Sequence, residues 1–106
     1  GNAMLIVTTE SVNGGRFEQL GLVRGSSIMT VHAGKDIMNS FKTLVGGELT
    51  SYNEMMENAR GLATQRMIEQ AQSMGADAIV AARYNSSSVA QGAAEVMAYG
   101  TAVRFV

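Results

Sequence analysis

The chain has 106 residues, which suffices for one domain built around a single modest core. Charged residues make up only 16% of it, the net charge is −1 and lysine and arginine form no cluster, so a nucleic-acid partner, which needs a basic stripe, is excluded. The absence of cysteine excludes a disulfide framework, a thiol nucleophile and a thiolate metal site.

The same composition also indicates the cellular location of the protein and whether it forms an oligomer. Its longest apolar runs are too short to span a bilayer and no secretory signal precedes the domain, so we expect a cytoplasmic protein with no membrane partner. Hydrophobic residues reach 46% while charged residues are few. We therefore expect the chain to bury part of its apolar surface in an oligomer.

The predicted elements begin with a short strand and a turn. Gly1–Ala3 resembles a cloning scar, so the single domain is expected to occupy residues 4–106. Met4–Thr9 is apolar and β-branched, which is typical of a strand. Asn13-Gly14 tolerates positive φ, and this pair predicts a tight turn.

A hairpin is predicted after that turn. Phe17–Val23 and Ile28–Ala33 both have the pattern of strands. Gly25-Ser26 lies between them and suits a hairpin turn.

Two helices are predicted in the middle of the chain. Apolar residues recur at helical spacing over Gly34–Val45, and Gly46-Gly47 is the expected stop. Ser51 and Glu54 form a capping box, so a second helix is expected to begin at Ser51 and to end at Gly75 in the left-handed conformation. At 1.5 Å per residue this helix would be roughly 35 Å long, enough to cross a small sheet.

The C-terminal third predicts two strands joined by a loop. Ala78–Tyr84 is the first strand, Asn85–Gly92 is a polar loop with three serines, and Glu95–Val106 is the last strand. In the last strand large side chains alternate with smaller ones, and we expect the large set to face the long helix. The large set is Met97, Tyr99, Thr101, Val103 and Phe105; the smaller set is Val96, Ala98, Gly100, Ala102, Arg104 and Val106.

The single histidine, His32, is a weak candidate for a base or a metal ligand. Asp36 follows it at a spacing that suits a helix, but a strand-to-helix junction at Gly34 falls between them. Zinc sites need three or four nitrogen, sulfur or oxygen ligands, and the chain has one histidine and no cysteine. We therefore interpret His32 as a partly exposed strand residue and predict no metal site and no cofactor within one chain.

Arg60 lies on the predicted apolar stripe of the long helix with Ala63, Met67 and Ala71. Its guanidinium must leave the apolar face or find a carboxylate. One interpretation is an anion clamp or an ion pair across a subunit interface. The other is an apolar stem at the edge of the stripe with the charged group in water.

Asp77 and Tyr52 complete the set of candidate residues. Asp77 stands at the entry to a strand, where it could be a catalytic carboxylate in a cleft or could accept hydrogen bonds from backbone N–H groups and shape the turn. Tyr52 heads the apolar stripe of the long helix. We predict that Arg60, Tyr52 and Asp77 serve as ligand or interface residues, and we name no catalytic residue.

The motifs of common phosphate and acyl-transfer sites are absent from the sequence. There is no G-x-x-x-x-G-K-[ST] and no G-x-G-x-x-G. Ser86–Ser88 lacks the flanking glycines of a nucleophile elbow.

The order and spacing of several short motifs resemble the family named the putative heavy-metal-binding domain, YbjQ-like. The matching pieces are Thr8-Thr9, Gly21-Leu22-Val23-Arg24-Gly25, Val45-Gly46-Gly47, Tyr52, Ala59-Arg60, Gly75-Ala76-Asp77-Ala78-Ile79-Val80 and Gly100-Thr101-Ala102-Val103. They extend over nearly the whole chain after Met4.

The resemblance implies a small α/β domain similar to dodecin subunits and a homopentameric ring. No reaction and no natural ligand is established for the family. The resemblance and the residue pattern together predict an α+β fold of two layers. In this fold an antiparallel sheet of about five strands is covered by one long and one short helix.

Three functions are compatible with these features. The first is a homopentameric module that binds a small molecule or an ion between subunits. The second is a structural or interaction scaffold whose ring is the product. The third is an enzyme, which ranks lowest because the sequence offers no nucleophile–base pair and no carboxylate dyad.

Overall fold

The computed structural model of the chain describes residues 4–30, 44–45 and 48–106. One long helix packs on a sheet, and the elements follow one another along the chain. They are β1 (Leu5–Ile6), β2 (Phe17–Thr30), β3 (Leu44–Val45), β4 (Glu48–Leu49), α1 (Thr50–Ser73), β5 (Ala78–Ala90) and β6 (Ala93–Phe105).

The main sheet has four strands in the order β1-β5-β6-β2, and it is mixed. β1 runs parallel to β5, whereas β5–β6 and β6–β2 are antiparallel. β3 and β4 form a separate antiparallel pair. The α+β class is confirmed. The expectation of a wholly antiparallel sheet is wrong, because the short first strand joins the sheet in parallel. Five strands and a second helix are not confirmed among the described residues.

β2 is one strand of 14 residues, so the prediction of two strands joined by a turn at Gly25-Ser26 is wrong. Gly25 is there because the helix comes close. A Cβ at this position would lie 2.3 Å from the carbonyl oxygen of Ala63 and 2.3 Å from the amide nitrogen of Met67. Glycine in a strand can mark such a close approach as well as a turn. The predicted extension over Val31–Ala33 lies outside the described residues.

β5 and β6 form a long hairpin, which corrects the prediction of a polar loop over Asn85–Gly92. The backbone of Ser86, Ser87 and Ser88 pairs with that of β6, and the strand continues to Ala90. All residues from Arg83 to Ala90 are exposed. Their polarity therefore reflects a strand with solvent on both faces and does not indicate a break in the strand.

The long helix confirms the prediction closely. α1 has 24 residues and begins at Thr50, one residue before the predicted start, while the predicted capping contact of Ser51 lies outside the described side chains. Gly75 ends it with φ +79°, and its N–H donates to the Gln72 carbonyl at 3.0 Å.

The predicted short helix over Gly34–Val45 falls largely on residues 34–43, outside the described residues, as does its expected stop at residues 46–47. Its predicted end is wrong. Leu44 and Val45 are in a strand and pair with Leu49 and Glu48.

The core lies between α1 and the sheet, and small side chains dominate it. The helix contributes Ala59, Ala63, Met67 and Ala71, and the sheet contributes Val23, Ile79, Ala82, Val96, Ala98 and Ala102. The prediction that the large set of the last strand faces the helix is therefore wrong. An alanine-lined helix lies close to the sheet, and only the smaller set of β6 leaves room for it.

A second, smaller core cluster contains Ala78, Val80 and Val103, with Val7, Val12 and Phe17 packed against it. The N-terminal segment reaches this cluster through the predicted turn at Asn13-Gly14. That turn is confirmed, because both residues have positive φ (51° and 66°) and the Gly15 N–H donates to the Val12 carbonyl at 2.8 Å.

Candidate functional site

Much of the sheet face that points away from α1 has no cover within the part of the chain that the structure describes. Side chains alternate along β2, so Val23, Gly25 and Ser27 are buried under the helix while their neighbours point to the other face. Those neighbours pair with the large set of β6. We call this surface the open face: Leu22, Arg24, Ser26 and Ile28 of β2 with Thr101, Tyr99, Met97 and Glu95 of β6.

Four of the eight residues of the open face have large apolar or aromatic side chains, and two of these four are mostly exposed. Leu22 is 65% exposed and Ile28 is 62% exposed. Tyr99 is 37% exposed, and Met97 beside it is half-buried. Large exposed side chains that share one surface are typical of a protein–protein contact.

A groove follows the outer edge of β2, where this edge strand meets α1. Two helix side chains one turn apart bond to the strand's outward backbone groups. Arg66 donates from Nη1 to the Ser26 carbonyl at 2.7 Å, and Gln70 accepts the Arg24 N–H at Oε1 at 2.6 Å. The groove encloses about 490 Å³ and is lined by Arg24, Gly25, Ser26, Arg66, Gln70 and Met97.

The lining of this groove is positively charged. Its described residues include two arginines and no acidic residue. The ion pairs among the described residues join Arg60 to Glu57 and Arg104 to Glu18, so neither groove arginine belongs to one.

The structure does not bring the three predicted site residues together. Tyr52 and Asp77 lie near opposite ends of α1, about 30 Å apart along the helix axis at 1.5 Å per residue. Arg60 lies between them along the helix.

Arg60 lies beside the buried stripe of α1, and the residue that is fully buried is its neighbour Ala59. Its Nη2 pairs with Glu57 Oε2 at 2.8 Å, and the two side chains are 40% and 77% exposed. The carboxylate that pairs with Arg60 is therefore on the same helix. An interface role for Arg60 stays a prediction.

Asp77 bonds to the backbone, as the second interpretation of this residue predicts. Its Oδ2 accepts the Phe105 N–H at 2.9 Å, and its own N–H donates to the Val103 carbonyl at 2.8 Å. These bonds fix the entry of β5 beside β6. Tyr52 is half-buried in the first turn of α1.

His32, the weak candidate for a base or a metal ligand, and Asp36 both lie outside the described residues. Among residues 4–30, 44–45 and 48–106, no three histidine, cysteine or acidic side chains are grouped so as to hold a metal ion. In the same ranges, no helix has the length and apolar character needed to cross a membrane.

Sequence reasoning missed the groove residues Arg24, Arg66 and Gln70. A signal was available: Gly25 inside a strand pattern can mark the close approach of another backbone. Residues at i and i+4 on the approaching helix, such as Arg66 and Gln70, would then flank the contact.

Comparison with known proteins gives the family. Residues 4–106 match the YbjQ family model, whose description is "Putative heavy-metal-binding". The chain belongs to the YbjQ family. The resemblance drawn from the sequence motifs is thereby confirmed.

Several relatives of the YbjQ family extend over nearly the same length. A UPF0145 protein of Alkaliphilus metalliredigens is 55% identical over 103 residues, which cover 97% of this chain and 100% of that protein. A UPF0145 protein of Clostridioides difficile is 61% identical over 101 residues, with 94% and 90% covered.

A crystal structure of a protein of unknown function from Pediococcus pentosaceus, of the DUF74 family, has a similar fold, with a TM-score of 0.67 at 20% identity. The match covers 97% of this chain and 98% of that one. No function is established for the YbjQ family, and its description names metal binding without a reaction.

Proposed function

We propose that the chain is a cytoplasmic, homo-oligomeric binding module whose subunits associate through the open face, with a pentameric ring as the assembly. The observation that carries the proposal is the exposure of Leu22 and Ile28 on a sheet face that no described helix covers. Burying apolar area of this kind yields about 25 cal/mol per Å², which favours association when the patch is continuous. Leu22 and Ile28 share the face with Met97 and Tyr99, which extends the patch across two strands.

A second copy of this chain is the occupant that we propose for the open face. The low charge fraction leaves few charged side chains to keep copies apart. The family resemblance implies a homopentameric ring. The exposed part of β5, Arg83–Ala90, offers further surface to a neighbouring subunit.

Light scattering on the purified protein tests the assembly. Five chains of 11.2 kDa give about 56 kDa. The variant carrying both Leu22→Ser and Ile28→Ser should dissociate. Val106→Ser is the matched control, because Val106 is 74% exposed but lies at the end of the chain, outside the open face. A monomer or dimer in the parent protein, or an unchanged mass in the double variant, would contradict the proposal.

We propose binding and not catalysis as the activity of the module. The groove beside β2 offers hydrogen-bond donors and positive charge, and among its lining residues no nucleophile stands beside a base. A thermal-shift panel of metals and metabolites separates a binding module from a pure scaffold, because a ligand that binds the folded state raises the melting temperature. Stabilisation by one class of ligand supports binding, and silence over the whole panel favours the scaffold.

The heavy-metal description of the family calls for a separate zinc titration. One histidine and no cysteine per chain cannot supply a typical zinc site, so we expect no sub-micromolar zinc affinity. The route by which a ring could still bind zinc is five copies of His32 around its axis. Tight zinc binding that disappears in His32→Ala would contradict the expectation.

A further inference from the structure

The groove beside β2 presents hydrogen-bond donors that the fold itself does not use. Arg66 is anchored by its bond to the Ser26 carbonyl at 2.7 Å. A guanidinium has five N–H donors in a rigid, planar fork, so one bond to a carbonyl leaves most of them available. An anchored guanidinium also loses less side-chain entropy when a ligand binds.

Gln70 adds a further donor. Its Oε1 accepts the Arg24 N–H at 2.6 Å, and this bond fixes which end of the amide is the oxygen. The Nε2 group therefore keeps its two N–H donors, and no bond from it to a described residue is found.

Shielding of the edge strand β2 from other chains does not explain the position of the Arg24 side chain. Side chains that bond to an edge strand's backbone prevent it from pairing with other chains, and this accounts for one bond each of Arg66 and Gln70. The Arg24 guanidinium makes no hydrogen bond or ion pair with any described residue, although it lines the same groove. Two positive charges therefore share one concave surface with no carboxylate among its described lining residues, in a chain whose net charge is −1.

We propose that this groove binds a small organic phosphate ester, with the phosphate dianion between Arg24 and Arg66 and the Gln70 amide as a third donor. Two guanidiniums balance the charge of a phosphate monoester, whose oxygens accept the paired N–H groups of arginine. The volume of about 490 Å³ exceeds that of a bare phosphate and falls within the range of small-molecule sites. Met97 provides an apolar surface for the organic group. The site uses side-chain donors, so it does not need the phosphate-loop motif that the sequence lacks.

The inference deepens the binding half of the proposed function and rests on it. All described lining residues come from one chain, but Arg24, Ser26 and Met97 also belong to the open face, so in the assembled protein the groove would lie at the edge of the subunit contact. Calorimetry at constant ionic strength tests it with phenyl phosphate, inorganic phosphate and benzoate. We expect phenyl phosphate to bind more tightly than inorganic phosphate, since only the ester can contact Met97, and benzoate to bind weakest because it carries one negative charge.

Arg24→Ala is the decisive variant, because it removes the guanidinium and retains the backbone N–H that bonds to Gln70. We expect phenyl phosphate to bind about tenfold more weakly, the change for losing one charge-assisted hydrogen bond. Arg66→Ala should weaken binding at least as much. Arg16→Ala is the control of equal charge change, since Arg16 lines a different depression of the surface.

Light scattering on each variant separates this inference from the assembly proposal. Loss of phosphate binding at unchanged mass supports the site. The inference is overturned if the parent protein binds neither phosphate, or if Arg24→Ala and Arg66→Ala weaken binding no more than Arg16→Ala. Equal affinity for inorganic phosphate and phenyl phosphate would refute the Met97 contact. Because the described lining comes from one chain, phosphate binding by a protein that does not form the ring would still support the site while contradicting the assembly proposal.

Discussion

The two faces of the sheet differ in the size of their side chains, and the difference follows from what covers each face. Under α1 the sheet presents Val23, Gly25 and Ala98. The helix packs alanines against them, so the two backbones lie close together. On the open face the same two strands present Leu22, Ile28 and other large side chains, partly in water. Small residues lie where the chain packs on itself, and large ones lie where a second molecule could pack.

Gly25→Ala should disrupt the packing between α1 and the sheet more than any other change considered. The new Cβ would lie 2.3 Å from two backbone atoms of the helix, and backbone cannot move aside as a flexible side chain can. Overpacking of this kind costs about 3 kcal/mol or more of the free energy of unfolding. Urea unfolding measures it, with Ser26→Ala on the adjacent, outward position as the control. A loss below about 1 kcal/mol would mean that the helix and β2 are farther apart than described.

Met67→Ala and Leu22→Ala compare the two faces directly. Met67 is buried in the helix-covered core, so its truncation should cost about 2–5 kcal/mol at any protein concentration. Leu22 is mostly exposed in one chain, so Leu22→Ala should change the stability of a monomer by no more than about 0.5 kcal/mol. If the open face is an interface, Leu22→Ala should instead lower the melting temperature at protein concentrations where the parent is assembled and have little effect at high dilution. Equal losses at high dilution would remove the distinction between the faces.

Ser27→Ala tests a polar contact on the covered face. Ser27 is the buried polar residue among the described side chains, and its hydroxyl donates to the Ala59 carbonyl at 2.7 Å. Removing the hydroxyl should cost about 1 kcal/mol, the net contribution of a typical hydrogen bond. Chemical denaturation measures the loss. Ser87→Ala, on the exposed part of β5, is the control and should be neutral. A stabilised Ser27→Ala would show that the hydroxyl only occupies space.

The sequence predicts the parts of this fold that depend on local chemistry. The turn at Asn13-Gly14 and the end of α1 at Gly75 follow from residues that tolerate positive φ. The start of the long helix is predicted to within one residue. These features require no knowledge of what packs against them.

The errors concern residues whose role depends on a distant partner. Gly25 and Ser26 suit a turn equally well until the helix is known to cross the strand there. The serines of β5 suggest a loop because neither face of that part of the strand is buried. The groove was not predicted, since it requires β2 to be an edge strand, and strand order is a property of the whole sheet. The face of β6 under the helix could have been inferred from the alanines of α1.

Arg60→Ala should have the smallest effect, and it tests whether the outer side of α1 also takes part in an interface. The intrahelical pair with Glu57 is exposed to solvent, and pairs of this kind contribute about 0.3–0.5 kcal/mol. We therefore expect Arg60→Ala to lower stability by no more than about 0.5 kcal/mol and to leave the mass of the assembly unchanged.

A double-mutant cycle with Glu57→Ala identifies the partner of Arg60. If the pair on the helix is the whole interaction, the coupling energy should equal the loss in Arg60→Ala within about 0.3 kcal/mol. If Arg60 instead pairs with a buried carboxylate of a neighbouring subunit, its removal should cost about 2–5 kcal/mol, because a buried partner would lose its counter-charge. The second result, with coupling to Glu57 near zero and a smaller assembly, would extend the interface from the open face of the sheet to the helix. The first would confine it to the sheet.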